Sequence, residues 1–176
     1  VNYKQSVPLQ RDSDGFAVLA GMLLRLTNLV DLEAGVGYIR QNFDNPAIKD
    51  VGAVNFHLQV EWTPRPDLQV TALAVRVIEP SARLDVPAIM HSNFSLQAHK
   101  SIGDRTLLTA EIGVSDEKYQ GSGRKDLRFH ASAKAQYRLT DRVGLFARVG
   151  WRKQDGNALG RDYDGVSATV GVRARF

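Results

Sequence analysis

Apolar and polar residues alternate along most of this chain. From Leu127 to Arg138, Leu127, Phe129, Ala131, Ala133, Ala135 and Tyr137 fall on one parity, and Arg128, His130, Ser132, Lys134, Gln136 and Arg138 on the other. Val54 to Trp62 repeats the pattern, with Val54, Phe56, Leu58, Val60 and Trp62 opposed to Asn55, His57, Gln59 and Glu61. So does the C-terminus, where Val166, Ala168, Val170, Val172, Ala174 and Phe176 oppose Ser167, Thr169, Gly171, Arg173 and Arg175. Side chains of a strand point to opposite faces in turn, so a period of two residues predicts strands; the helical period of 3.6 is almost absent. Weaker alternation over 14–26, 29–40, 68–79, 91–101, 106–116 and 143–153 brings the expected total to nine strands in an all-β chain.

The connections alternate in kind. Thr27-Asn28, Thr63-Pro64-Arg65-Pro66-Asp67, Gly103-Asp104-Arg105 and Thr140-Asp141-Arg142 are short, with turn-forming residues. Residues 41–50, 80–90, 117–126 and 154–163 are longer and polar. Strands of about 10 to 12 residues are roughly twice the usual globular length. Long antiparallel strands with short turns on one rim and long loops on the other describe an up-and-down transmembrane β-barrel.

Alternation alone also fits a soluble, lipocalin-like barrel with an apolar interior. The aromatic residues decide between the two. On the apolar parity, Phe16, Tyr38, Phe94, Phe129 and Trp151 fall toward the long-loop ends of the strands, and Trp62, Tyr137 and Phe176 toward the short-turn ends. Between them lie mainly Ala, Val and Leu. Two aromatic girdles around an aliphatic band match the two headgroup layers and the hydrocarbon of a bilayer, whereas a soluble core would hold its rings centrally. The polar parity carries Gly35, Gly37, Gly113, Gly144, Gly150 and Gly171 among large charged residues, as a wet lumen can. A final strand ending in Phe176 is similar to the C-terminal signal that bacterial outer-membrane proteins present to the barrel assembly machinery.

Composition narrows the rest. The chain has 176 residues and no Cys, which excludes disulfides, thiolate metal sites and a cysteine nucleophile. The best apolar run, Gly15 to Leu24, stops at Arg25, well short of the roughly 18 to 20 residues of a membrane helix. There is neither an initiator Met nor a signal-peptide pattern, so a processed chain or a piece of a longer one is expected. The net charge of +4 is uneven: residues 1–88 hold eight Lys/Arg against ten Asp/Glu, and residues 89–176 hold fifteen against nine. The basic residues form no run or helical stripe, which argues against nucleic acid.

Short motifs then resemble a known family. Asp14-Gly15-Phe16 leading to Ala20-Gly21, Leu32-Glu33-Ala34-Gly35-Val36-Gly37-Tyr38, Glu61-Trp62-Thr63-Pro64, and Tyr119-Gln120-Gly121-Ser122-Gly123-Arg124-Lys125-Asp126 look like the C-terminal half of the putative β-barrel porin type 2 family, as does Asp162-Tyr163 with the final strand. The resemblance implies an outer-membrane, porin-like barrel in a Gram-negative bacterium, often associated with exopolysaccharide export. It brings no catalytic residues and no cofactor. Members are larger, so an N-terminal half is expected to be missing.

Strand counting leads to the same expectation. With a periplasmic C-terminus, nine strands would start outside the cell, and an open sheet would leave two unpaired edges in lipid. Either further strands complete the barrel, or Val1, Tyr3, Val7 and Leu9 mark a tenth strand that closes a small one. Pro8 and the polar stretch after it favour an extracellular loop or partial strand for 1–13, with 14–176 as the C-terminal portion of the barrel.

The polar parity is the candidate functional surface. It displays Asp31, Glu33 and Glu61 early in the chain, and Arg128, Lys134, Arg138, Arg148, Arg152, Arg173 and Arg175 late. Acidic and basic walls facing each other across water would filter hydrophilic solutes by charge and hold anionic ones; alternatively, these charges only solvate the interior and pair across strands. His57, His91, His99 and His130 lie on separate strands without metal-ligand spacing. Ser95 or Ser132 with His99 or His130 lacks a third member for nucleophilic catalysis. Gly121-Ser122-Gly123-Arg124-Lys125 lacks the Lys-Ser/Thr ending of a phosphate loop and reads as surface loop. Tyr119, Arg124, Lys125, Arg161 and Tyr163 on the long loops are positioned to touch lipopolysaccharide or polysaccharide. The expected function is a non-enzymatic channel for hydrophilic, anionic solutes or an exported polysaccharide, working alone or with an export complex. The alternative is a closed structural or enzymatic barrel.

Overall fold

The computed structural model describes residues 13–44, 50–80, 86, 88–158 and 160–174. They form nine strands: β1 (Ser13–Thr27), β2 (Val30–Phe43), β3 (Val51–Arg65), β4 (Leu68–Pro80), β5 (Ala88–Ile102), β6 (Thr106–Tyr119), β7 (Lys125–Arg138), β8 (Val143–Gly156) and β9 (Tyr163–Ala174). Each pairs antiparallel with the next in a single sheet of order β1 to β9. β1 and β9 are not paired with each other, so the sheet is open between them among the described residues.

The predicted strands extend further at the long-loop rim than alternation indicated. β6 continues through Glu117 and Lys118 to Tyr119, and β8 through Gln154 to Gly156. Alternation of hydropathy fades there because both faces carry polar groups, yet the ladder persists, with Glu117 opposite Asp126 and Arg128 opposite Gln154. At the opposite rim the turns are tight. Gly103 takes φ +56°, a conformation other residues rarely adopt, and Thr140 Oγ1 accepts the amides of Arg142 and Val143 at 3.3 and 3.0 Å.

The register keeps one parity together across all nine strands. Phe94, Val114 and Phe129 lie side by side, as do Ala131, Trp151 and Val166, and Val30, Trp62 and Val70. This apolar face is largely bare: Val166, Val170 and Val18 are 74, 81 and 64% exposed. Among the described residues, only Val51, Ile78, Val86, Ala88 and Tyr119 are buried apolar side chains. A sheet of this size with almost no apolar core has its stabilising partner outside the protein, and hydrocarbon is the partner that an apolar face of this extent selects.

One local departure occurs at the long-loop rim. β3 and β4 pair only as far as Phe56 and Arg76, while β2–β3 continues to Gln41 and Val51 and β4–β5 to Pro80 and Ala88. The sheet therefore parts between β3 and β4. The parting is filled by Val51, Ile78 and Ala88, with Ile39, Phe43, Ala53 and Met90 packed around them.

Candidate functional site on the polar face of the sheet

The polar face brings the sequence-predicted charges into two groups. Asp31 and Glu61 lie directly opposite each other on β2 and β3, with Glu33 two residues along on the same face. Asp31 accepts from Arg25 Nε at 3.1 Å, and Glu33 lies 3.7 Å from His57 Nε2. Across the sheet, β7 to β9 carry Arg128, Lys134, Arg138, Arg148, Arg152 and Arg173 on the same face. Arg175 and Phe176 lie outside the described residues.

The basic group divides by what each member touches. Arg128 forms an ion pair with Glu117 and donates from Nε to Gln154 Oε1 at 2.6 Å. Arg138 donates to the Asp104 carbonyl at 2.7 Å, in the neighbouring turn. Lys134, Arg148, Arg152 and Arg173 make no hydrogen bond or ion pair among the described residues. Lys134 is moreover directly opposite Arg148. Like charges facing each other across a ladder destabilise the pair, so nothing internal to the sheet accounts for this arrangement.

Several polar-face groups went unmarked in the sequence. Glu111 and Glu117 on β6 border the basic strands: Glu111 lies 3.2 Å from His130 Nε2, and Glu117 holds Arg128 and lies 3.4 Å from His91 Nδ1. They share the parity of Gly113, which places both on the polar face and is the signal by which the sequence marks them. Phe146 also lies on this face, with its ring over Gly171, where a Cβ would come within 2.7 Å. His99 bonds with Thr109 and Gln97 at 3.1 and 2.8 Å, and neither Ser95 nor Ser132 bonds with a histidine.

The long-loop rim beside the basic group is braced. The Arg124 guanidinium stacks 4.0 Å above the Tyr119 ring and donates from Nε to Asp126 at 3.1 Å, and Tyr119 donates to Glu117 at 3.0 Å. Asp126 is fully buried. Its carboxylate holds the Arg124 guanidinium above its ordinary range. Asn157 ties the two loops, donating to the Gly123 carbonyl at 2.9 Å and accepting from the Lys125 amide at 2.8 Å. Arg124 thus serves loop structure, while Gln154 donates to the Arg161 carbonyl at 2.8 Å.

On the apolar face, Phe16 and Tyr38 pack near the long-loop rim with centroids 6.4 Å apart and Phe129 lies near the same rim, whereas Phe94 and Trp151, expected there, stand mid-strand because β5 and β8 run further than alternation indicated. Trp62 and Tyr137, 47 and 42% exposed, stand near the short-turn rim. Trp151 Nε1 donates to Asp164 at 2.6 Å. In the turn between β3 and β4, a hydrogen bond from Lys100 lowers the Asp67 carboxyl below its ordinary range.

A nine-stranded up-and-down sheet, apolar on one face and charged on the other, with aromatic residues toward both rims, defines a porin-like outer-membrane β-barrel protein. The chain matches the family model described as putative beta-barrel porin 2 over residues 2–176 and belongs to that family. That places it in the outer membrane of a Gram-negative bacterium. Among solved structures it is similar to a loop L8 deletion mutant of OmpT, an outer membrane protein of Vibrio cholerae, with TM-score 0.65 and 17% identity. That match covers 94% of this chain and 53% of the other, so the chain spans about half the length of that relative. It is also similar to in-vitro folded OmpT of Vibrio cholerae in its trimer form, with TM-score 0.60, 13% identity, and 98 and 79% of the two chains covered. No curated protein matches the chain.

Proposed function

We propose that the polar face lines a water-filled lumen and that the barrel passes hydrophilic solutes across the outer membrane with a preference for anions. The observation that carries this reading is the unpaired basic group Lys134, Arg148, Arg152 and Arg173, concentrated on three adjacent strands. Free cations on a lumen wall raise the local concentration of anions and offer them charge-assisted hydrogen bonds. The acidic side is partly neutralised by Arg25, which leaves the balance toward anions.

In this reading the long loops face outward from the cell and the short turns face the periplasm. The free edges of β1 and β9 acquire strand partners, because each unpaired backbone group costs several kcal/mol in hydrocarbon. The aromatic residues near the rims sit at the two headgroup layers. Beyond the belt, Arg40 and Lys118, half-exposed on the apolar parity, meet the anionic headgroups of lipopolysaccharide. Incorporation into planar bilayers tests the reading: stepwise conductance is expected, and an inserted, folded protein that never conducts would overturn it.

A further inference from the structure

The unpaired cations are not scattered; they frame a floor. On the polar face, Ser132, Gly150 and Ser167 stand side by side on β7, β8 and β9. Two residues away in one direction, His130 and Arg152 are paired; two residues away in the other, Lys134 and Arg148 are paired. The floor is low because its middle member has no side chain and its flanking members are serines. Glu111 closes the row on the β6 side, where it engages His130 rather than Lys134 or Arg148. A trough over these strands is lined by Glu111, Arg128, Ser132, Arg148, Arg152 and Ser167, and Lys134 stands beside Arg148 at its edge.

We infer that this trough is a binding site for an elongated dianion, a solute with a carboxylate at each end. The two ends, marked by Arg152 and by Arg148 with Lys134, are separated by four residues along the strand, about 13 Å between backbones at the usual rise. Long side chains leaning inward from both ends shorten that span to the reach of a small dicarboxylate. A guanidinium grips a carboxylate through two parallel hydrogen bonds, so Arg148 and Arg152 each suit one end. The serine hydroxyls and the open backbone at Gly150 leave room for the chain between. One local anion would satisfy one guanidinium and leave the other unpaired; two linked anions satisfy both Arg148 and Arg152.

This site rests on the polar face being wet, but its test does not require conduction. Binding of pimelate to the folded protein in detergent micelles is measured by titration calorimetry, with heptanoate and inorganic phosphate as single-ended probes. Pimelate is expected to bind at least tenfold more tightly than either. Lys134→Gln with Arg148→Gln is expected to weaken it at least tenfold, and Gly150→Val, which fills the floor without changing charge, by a similar factor. Ser132→Val repeats that test should the glycine variant fold poorly. Arg142→Gln, in the short turn at the opposite rim, removes the same charge outside the trough and is expected to change affinity less than twofold. Equal affinity for pimelate and heptanoate, an effect of Arg142→Gln as large as that of the Lys134→Gln with Arg148→Gln variant, or unchanged binding in both floor variants would overturn the site. Retained dianion binding in a protein that does not conduct would remove the channel and keep the site.

Discussion

Arginines of the long-loop rim and arginines of the mid-sheet share a residue type, a parity and neighbouring strands, and they behave differently. Arg128 is held by Glu117 and Gln154, and Arg124 in the adjoining loop by Asp126 and the Tyr119 ring. Arg148 and Arg152, twenty or more residues on in sequence and a strand away, hold nothing. The difference lies in the partner strand. β6 supplies a carboxylate opposite or beside the rim arginine, whereas β9 offers Thr169 and Gly165 opposite Arg148 and Arg152. Paired arginines brace the rim; in the proposed channel the unpaired ones are left for solute. The charge sum alone does not separate these two jobs, and the register does.

The largest effect is expected at the rim. Asp126→Ala leaves Arg124 without its carboxylate in a buried position and should cost about 3 kcal/mol of unfolding free energy, read from urea unfolding in detergent or lipid. Next come the free cations. Lys134→Gln with Arg148→Gln should lower the anion-to-cation permeability ratio by about fivefold, read as a shift of reversal potential in a salt gradient, with little change in stability. Removing an acidic partner should act in the opposite sense and less strongly. Glu61→Gln, which also relieves the opposition to Asp31, should raise anion preference by less than about twofold.

The smallest effect is expected in the short turn. Lys100 lowers the Asp67 carboxyl, so this pair contributes above the ordinary aspartate range and its contribution fades as pH falls through the lowered value. The pair is exposed, and Asp67→Asn at neutral pH should leave the unfolding midpoint unchanged within error. A clear destabilisation there would blur the distinction between rim and turn.

Much of this was legible in the alternation itself. The nine strands, their antiparallel order and the two faces follow from a period of two, because a strand exposed to hydrocarbon on one side and water on the other must deal its apolar residues to every second position. The extension of β6 to Tyr119 was not legible, since Glu117 and Lys118 look like loop when only hydropathy is read. Nor was the parting between β3 and β4, which depends on Val51, Ile78 and Ala88 packing with one another rather than on either strand alone. The charged positions were found by parity, but their division into paired and free was not. That division depends on which residue the register sets opposite, and Glu111 and Glu117 become neighbours of His130 and Arg128 only when β6 and β7 are laid side by side.

The central claim is that the polar parity faces water and the apolar parity faces lipid. Because the chain has no cysteine, single cysteines placed at successive positions from Ala131 to Gln136 on β7 report it without background. With the protein in the outer membrane, a small, charged thiol reagent should label cysteines at Ser132, Lys134 and Gln136 and leave those at Ala131, Ala133 and Ala135 unmodified. Labelling of the alanine positions with protection of the polar ones, or uniform labelling along the strand, would contradict the account.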